Sequence, residues 1–105
     1  MTGSDEKTAS LLAAIWQRNR ALVEERLALL DRAASSAAAG GLSDELRQEA
    51  CNTAHKLAGS LGMYGFDEGT RIAREMEVLL GEDAPDPVQF GDLVAALRKA
   101  ILPAG

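Results

Sequence analysis

The sequence predicts an all-α protein, an antiparallel up-down-up-down four-helix bundle with a long first helix. Three observations carry that prediction. Apolar residues recur at steps of three and four along four separate segments, and none alternates in the manner of a strand. The segments are divided by short runs holding Gly or Pro, at Gly40-Gly41, Gly62 to Gly65, and Gly81 to Pro87. Ala and Leu dominate the composition while aromatics make up only 4%, which favours a core of aliphatic side chains on helices. At 105 residues the chain is one domain. Four helices with one apolar face each bury those faces only against one another. A coiled-coil hairpin dimer is the structural alternative, and the last two helices are short for it.

Residues 1–6 are polar and read as a loose, flexible N-terminus, with the bundle occupying residues 7–103. Thr8 or Ser10 is the candidate cap of the first helix, which runs to about Ala39. Its stripe is Leu12, Trp16, Asn19, Val23, Leu27, Leu30, Ala34 and Ala37. A second line, Leu11, Ile15, Leu22 and Leu29, widens the buried face. This is long for a globular helix, and a break near its start would split off a lead-in segment. Asn19 is polar within the stripe, which places it near an end of the core or facing solvent. Gly40-Gly41 closes the helix in a turn.

Ser43 caps the second helix, with Asp44 and Glu45 at its positive end. Leu46, Ala50, Thr53/Ala54, Leu57 and Leu61 form its apolar face, and it fades between Gly62 and Gly65. Asp67 is read as the N-cap of the third helix, whose inward residues are Gly69, Ile72, Ala73, Met76, Leu79 and Leu80. Gly81 stops it. Asp86-Pro87 is an N-cap followed by proline at the first helical position. Phe90, Leu93, Val94, Leu97 and Ile101 then share one side of a last helix ending at Pro103.

Charge and cysteine content narrow the function classes. The formal net charge is −5 and the basic residues are scattered, so nucleic acid is not the expected partner. A single cysteine excludes an internal disulfide, and no cysteine cluster suggests a zinc site. The N-terminus lacks a basic segment followed by an apolar one, so no secretory signal is visible. No apolar run approaches the roughly 20 residues a bilayer requires. The expectation is a soluble, cytoplasmic protein with no membrane association.

The most informative stretch is Ala54-His55-Lys56-Leu57-Ala58-Gly59-Ser60-Leu61-Gly62, which holds the only histidine. His55 lies two residues from Leu57, roughly 200° around the helix, and so points away from the apolar face. Its outward neighbours, Cys51, Asn52, Ala58, Gly59 and Gly62, are all small. Gly59 and Gly62 fall inside the helix, where glycine costs roughly 1 kcal/mol relative to alanine. Two explanations compete: Gly59 lets a neighbouring helix of this chain pack closely, or it keeps the imidazole accessible to another macromolecule.

Few chemistries are available to one histidine. Ser60 is five residues from His55 and about 140° around the helix, so no Ser–His pair forms locally. The Gly-Ser-Leu-Gly-Met-Tyr-Gly run follows a helix rather than a strand, unlike a nucleotide-binding loop. Cys51 and His55 are one turn apart, but two ligands do not make a metal site. A single exposed imidazole does suffice for phosphoryl transfer. Neutral imidazole is a nucleophile, and such transfer depends mainly on in-line positioning and charge neutralisation. A partner protein can supply the metal and most of the positive charge, with Lys56 as a local cation.

The His55-to-Gly62 run, followed by Gly65, Ala73 and Met76-Glu77, resembles a histidine-containing phosphotransfer (HPt) domain. The helix order and domain length fit as well. The resemblance implies a four-helix bundle whose second helix carries the phosphoacceptor, His55. It implies that the group comes from the aspartate of a response-regulator receiver domain and passes to another, in two-component signalling. Gly59 then admits the receiver's active site, Gly65 is the turn glycine before the third helix, and Glu77 holds Nδ1–H so that Nε2 stays nucleophilic. Cys51, Asn52, Ala58 and Gly62, with Met63 and Tyr64, would line the docking surface. Tyr64 and Phe66 can equally cap the core at the turn. The expected partners are receiver domains and a hybrid sensor histidine kinase, met by a monomer. No cofactor of its own and no autokinase activity are expected, and Mg2+ belongs to the receiver. Ala58 stands where many members have a lysine that helps neutralise the phosphoryl oxygens. That departure keeps open an alternative, a docking module or scaffold bundle that binds a receiver without phosphotransfer.

Overall fold

The computed structural model describes residues 3–102, with side chains from residue 7 onward. Four helices are present and no strand among the described residues: α1 (Gly3–Ala38), α2 (Asp44–Met63), α3 (Asp67–Leu80) and α4 (Pro87–Ile101). Each packs on its neighbours in sequence, α2 most extensively on α3, and α4 closes the ring against α1. The diagonal pairs lie farther apart. This is the expected up-down-up-down bundle.

Helix α1 starts at Gly3, ahead of both candidate caps, and runs unbroken for 36 residues. Thr8 and Ser10 are therefore interior residues, and of the segment read as loose only Met1 and Thr2 lie outside the described residues, as does Pro103. Isolated Ser or Thr within a helix costs well under about 1 kcal/mol, too little to start a new one. At about 1.5 Å per residue, α1 spans roughly 54 Å, which matches the 54 Å long axis of the molecule. Helix α2, at 20 residues, covers only about 30 Å.

The mismatch in length explains where the core sits. Burial in α1 begins at Val23 and continues through Leu27, Leu30, Ala33 and Ala37. Leu12, read as part of the buried stripe, is 41% exposed, and Leu11 and Leu22 are exposed as well, because the shorter helices do not reach them. Near the C-terminus the seam follows Ala33 rather than Ala34, which is half-buried. Asn19 is half-buried and donates from Nδ2 to the Ile15 carbonyl at 2.9 Å. The end of the bundle is closed by aromatics, with Trp16 at 5.3 Å from Tyr64 and 4.8 Å from Phe66. Tyr64 and Phe66 thus cap the core at the turn.

The turns follow from their glycines. After α1, Gly40 has φ +77, and the Gly41 amide reaches back to the Ser36 carbonyl at 2.8 Å. After α2, Gly65 has φ +81, and the Phe66 amide reaches back to Leu61 at 3.0 Å. Both are left-handed helix stops that satisfy otherwise orphaned carbonyls. Because Phe66 is used in that stop, α3 begins at once: Phe66 is its cap position, and Asp67 is the first helical residue rather than the N-cap. Ser43 accepts from the Leu46 amide and Asp86 from the Val88 amide, so α2 and α4 carry the side-chain caps expected of them. Gly69 lies where α3 meets α2 and α4, and a Cβ there would approach Ile101 Cγ2 to 2.8 Å.

Candidate functional site

Helix α2 buries Ala50, Ala54, Leu57, Ala58 and Leu61, and His55 projects from its exposed side beside α3. The imidazole side chain is 73% exposed. Its Nδ1 lies 2.7 Å from Oε2 of Glu77 on α3. A carboxylate only accepts hydrogen bonds, so Nδ1 carries a proton, and in the neutral ring the lone pair resides on Nε2. Nε2 has no hydrogen-bond partner among the described residues. The result is a ring fixed at one nitrogen and open at the other.

Glu77 is itself anchored from α2. The Cys51 thiol, one turn before His55, donates to the Glu77 main-chain carbonyl at 3.6 Å. Burial pushes the Cys51 thiol pKa up, the nearby Glu77 charge adds to the rise, and Arg47 opposes it. Cys51 is therefore a neutral, half-buried thiol serving the helix contact. Cys51 and His55 thus both engage Glu77, one at its backbone and one at its side chain. Among the described residues no cluster of three metal-ligating side chains occurs.

A shallow groove beside the ring is lined by His55, Ala58 and Gly59 from α2 and by Arg74, Glu77 and Val78 from α3. Gly59 is exposed, and a Cβ built on it would meet nothing within 4 Å. No helix among the described residues packs closely on Gly59. Gly62 is also exposed, and its Cβ would make only an ordinary contact with Thr70 at 3.7 Å. Asn52 and Lys56 face solvent, and Lys56 is not part of the groove.

Ala58 differs from its sequence reading. It was expected on the outward surface, yet it is only 6% exposed. The buried arc of α2 is centred between Leu57 and Ala54 and extends toward α3, and Ala58 lies on that flank, roughly 100° past Leu57. It forms the floor of the groove rather than its rim, and Cys51 turns the same way. Arg74 and Val78 were missed in the sequence. They lie three residues before and one after Glu77, so placing Glu77 by the imidazole brings Arg74 onto the same face.

No helix among the described residues is long and apolar enough to cross a membrane. Comparison with protein families matches residues 14–102 to the Hpt domain. Among curated proteins, Protein RcaC of Microchaete diplosiphon is 28% identical over 78 residues, covering 74% of this chain and 12% of that protein. The chain thus spans a small part of the length of the relative it matches. No solved structure matches it. An exposed histidine on the second helix of a four-helix bundle, held at Nδ1 by the third, fits the family match over nearly the whole chain: the protein belongs to the Hpt domain family, and with it to two-component phosphorelay signalling.

Proposed function

We propose that His55 accepts a phosphoryl group from the aspartyl phosphate of a response-regulator receiver domain and passes it to another. The observation that carries this reading is the His55–Glu77 contact, which leaves Nε2 free at an exposed site. The Nε2 lone pair attacks phosphorus in line, and an N–P bond forms as the P–O bond to the aspartate breaks. The aspartate carboxylate leaves with the electron pair. No proton need move: the ring becomes a phosphorylated imidazolium, with Nδ1–H facing the Glu77 carboxylate. Glu77 thus selects the reactive tautomer and stabilises the positive ring that follows. The reverse reaction on a second receiver regenerates neutral His55.

Gly59 supports docking by keeping the surface beside the imidazole low. Asn52 and Gly62 extend that surface, Ala58 floors the groove, and Lys56 adds a cation on the solvent side of α2, outside the groove. The receiver brings the Mg2+ that neutralises its own aspartyl phosphate, and a hybrid sensor kinase is the expected source of phosphate upstream. Such an encounter is transient, with a buried area of about 1,200 Å² or less. Incubation with a labelled phosphoreceiver tests the reading. Label moves to the wild-type protein and is not taken up by His55→Gln. Equal labelling of the variant overturns the assignment, and receiver binding with no labelling of either protein leaves the docking-only module as the answer.

A further inference from the structure

The groove beside His55 contains one cation with no other task. Arg74 lines it together with Glu77, one turn further along α3. Its neighbour Arg71 binds both Glu68 and Glu75, and Glu77, one turn away, turns its carboxylate to His55. Arg74 makes no hydrogen bond or ion pair among the described residues. The space in front of it is kept clear by two small residues, Ala58 and Gly59.

We propose that Arg74 is the phosphoryl-binding residue of this site, closing over the oxygens of the group carried on His55 Nε2. The inference rests on the phosphotransfer reading above and adds to it the residue that balances the charge. A phosphoryl group brings up to about two negative charges into the groove, where Glu77 already contributes a negative charge. Lys56 lies roughly 100° around α2 from His55, outside the groove. Arg74 and Glu77, one turn apart on α3, both line the groove, so one α3 face offers an acceptor to Nδ1 and a donor to the phosphoryl oxygens. The guanidinium suits this role because its planar fork donates two parallel hydrogen bonds to such a group.

The test uses the small-molecule donor phosphoramidate, so it does not depend on finding the receiver. Phosphorus-31 NMR follows the titration of the phosphoryl group on wild-type protein and on Arg74→Gln, with circular dichroism confirming that both are folded. A nearby cation favours the dianion, so its removal raises the titration midpoint by about half a unit. Glu77 and Lys56, the other charged groups beside the site, are the same in both proteins, which isolates Arg74. Ala58→Lys in the Arg74→Gln background returns a cation to the groove floor and lowers the midpoint again. An unchanged midpoint in Arg74→Gln overturns the proposal. Uptake from phosphoramidate together with a failure to exchange phosphate with any receiver contradicts the relay reading alone. Wild-type protein that takes no phosphate on His55 overturns both.

Discussion

The Cys51 thiol donates to the main-chain carbonyl of Glu77, and His55 Nδ1–H donates to the carboxylate of the same residue. One residue of α3 is therefore gripped by α2 through its backbone and grips α2 through its side chain. The half-buried contact sets where α3 sits along α2, and the exposed one sets the tautomer of the ring. Glu77→Ala removes the second without disturbing the first. The ring then exchanges between tautomers, and transfer to His55 falls by roughly tenfold, about 1.4 kcal/mol of barrier. Nitrogen-15 NMR of the imidazole reads the tautomer, and stopped labelling with a phosphoreceiver reads the rate. Glu77→Gln, whose amide oxygen still accepts, retains more activity than Glu77→Ala.

Gly59 separates docking from folding. Its missing Cβ would touch nothing in this chain, so Gly59→Leu folds normally. It gains up to about 0.8 kcal/mol from helix propensity. Receiver-dependent transfer nevertheless slows by about tenfold or more, because the leucine occupies the ground beside the imidazole. Thermal denaturation and labelling on the same sample check the two halves. A variant that unfolds instead would assign the glycine to packing.

Gly65 behaves in the opposite way. Its φ of +81 is a left-handed conformation, so Gly65→Ala loses about 1–2 kcal/mol in urea denaturation. A loss below a few tenths would show that the turn relaxes around the new methyl group. The turn also positions Phe66 against Trp16, so tryptophan fluorescence shifts with it.

Cys51 makes a pH-dependent prediction. Its thiol pKa is raised by burial first and by Glu77 second. The folded protein therefore holds a proton that the unfolded chain releases. The stabilisation is complete below the unfolded thiol's pKa and is lost as pH rises through the folded one. Iodoacetamide modifies Cys51 more slowly in the folded protein than in urea at the same mildly alkaline pH. Cys51→Ala removes this alkaline contribution to stability.

The helices and their order were legible because each apolar face is periodic and each break holds a glycine, a proline or a capping side chain. Ser43 and Asp86 cap as their positions imply, since capping is decided within four residues of chain. The errors arose where neighbouring helices decide the outcome. Leu12 obeys the period of the α1 stripe, yet no helix is long enough to cover it. Asp67 has the chemistry of a cap, but the preceding helix stop consumes the residues a cap requires. Ala58 lies on the flank that α3 overhangs, and Arg74 enters the groove only when α3 is docked in register with α2. His55, by contrast, was readable from α2 alone, because its exposure follows from the face opposite Leu57.

The most direct test identifies the phosphorylated atom. Wild-type protein labelled from a phosphoreceiver is analysed by phosphorus-31 and proton correlation NMR under alkaline conditions, where phosphoramidates persist. The account predicts a single phosphohistidine, His55 bonded at Nε2, that is lost on acidification. Phosphate bonded at Nδ1, or on any other side chain, would contradict it.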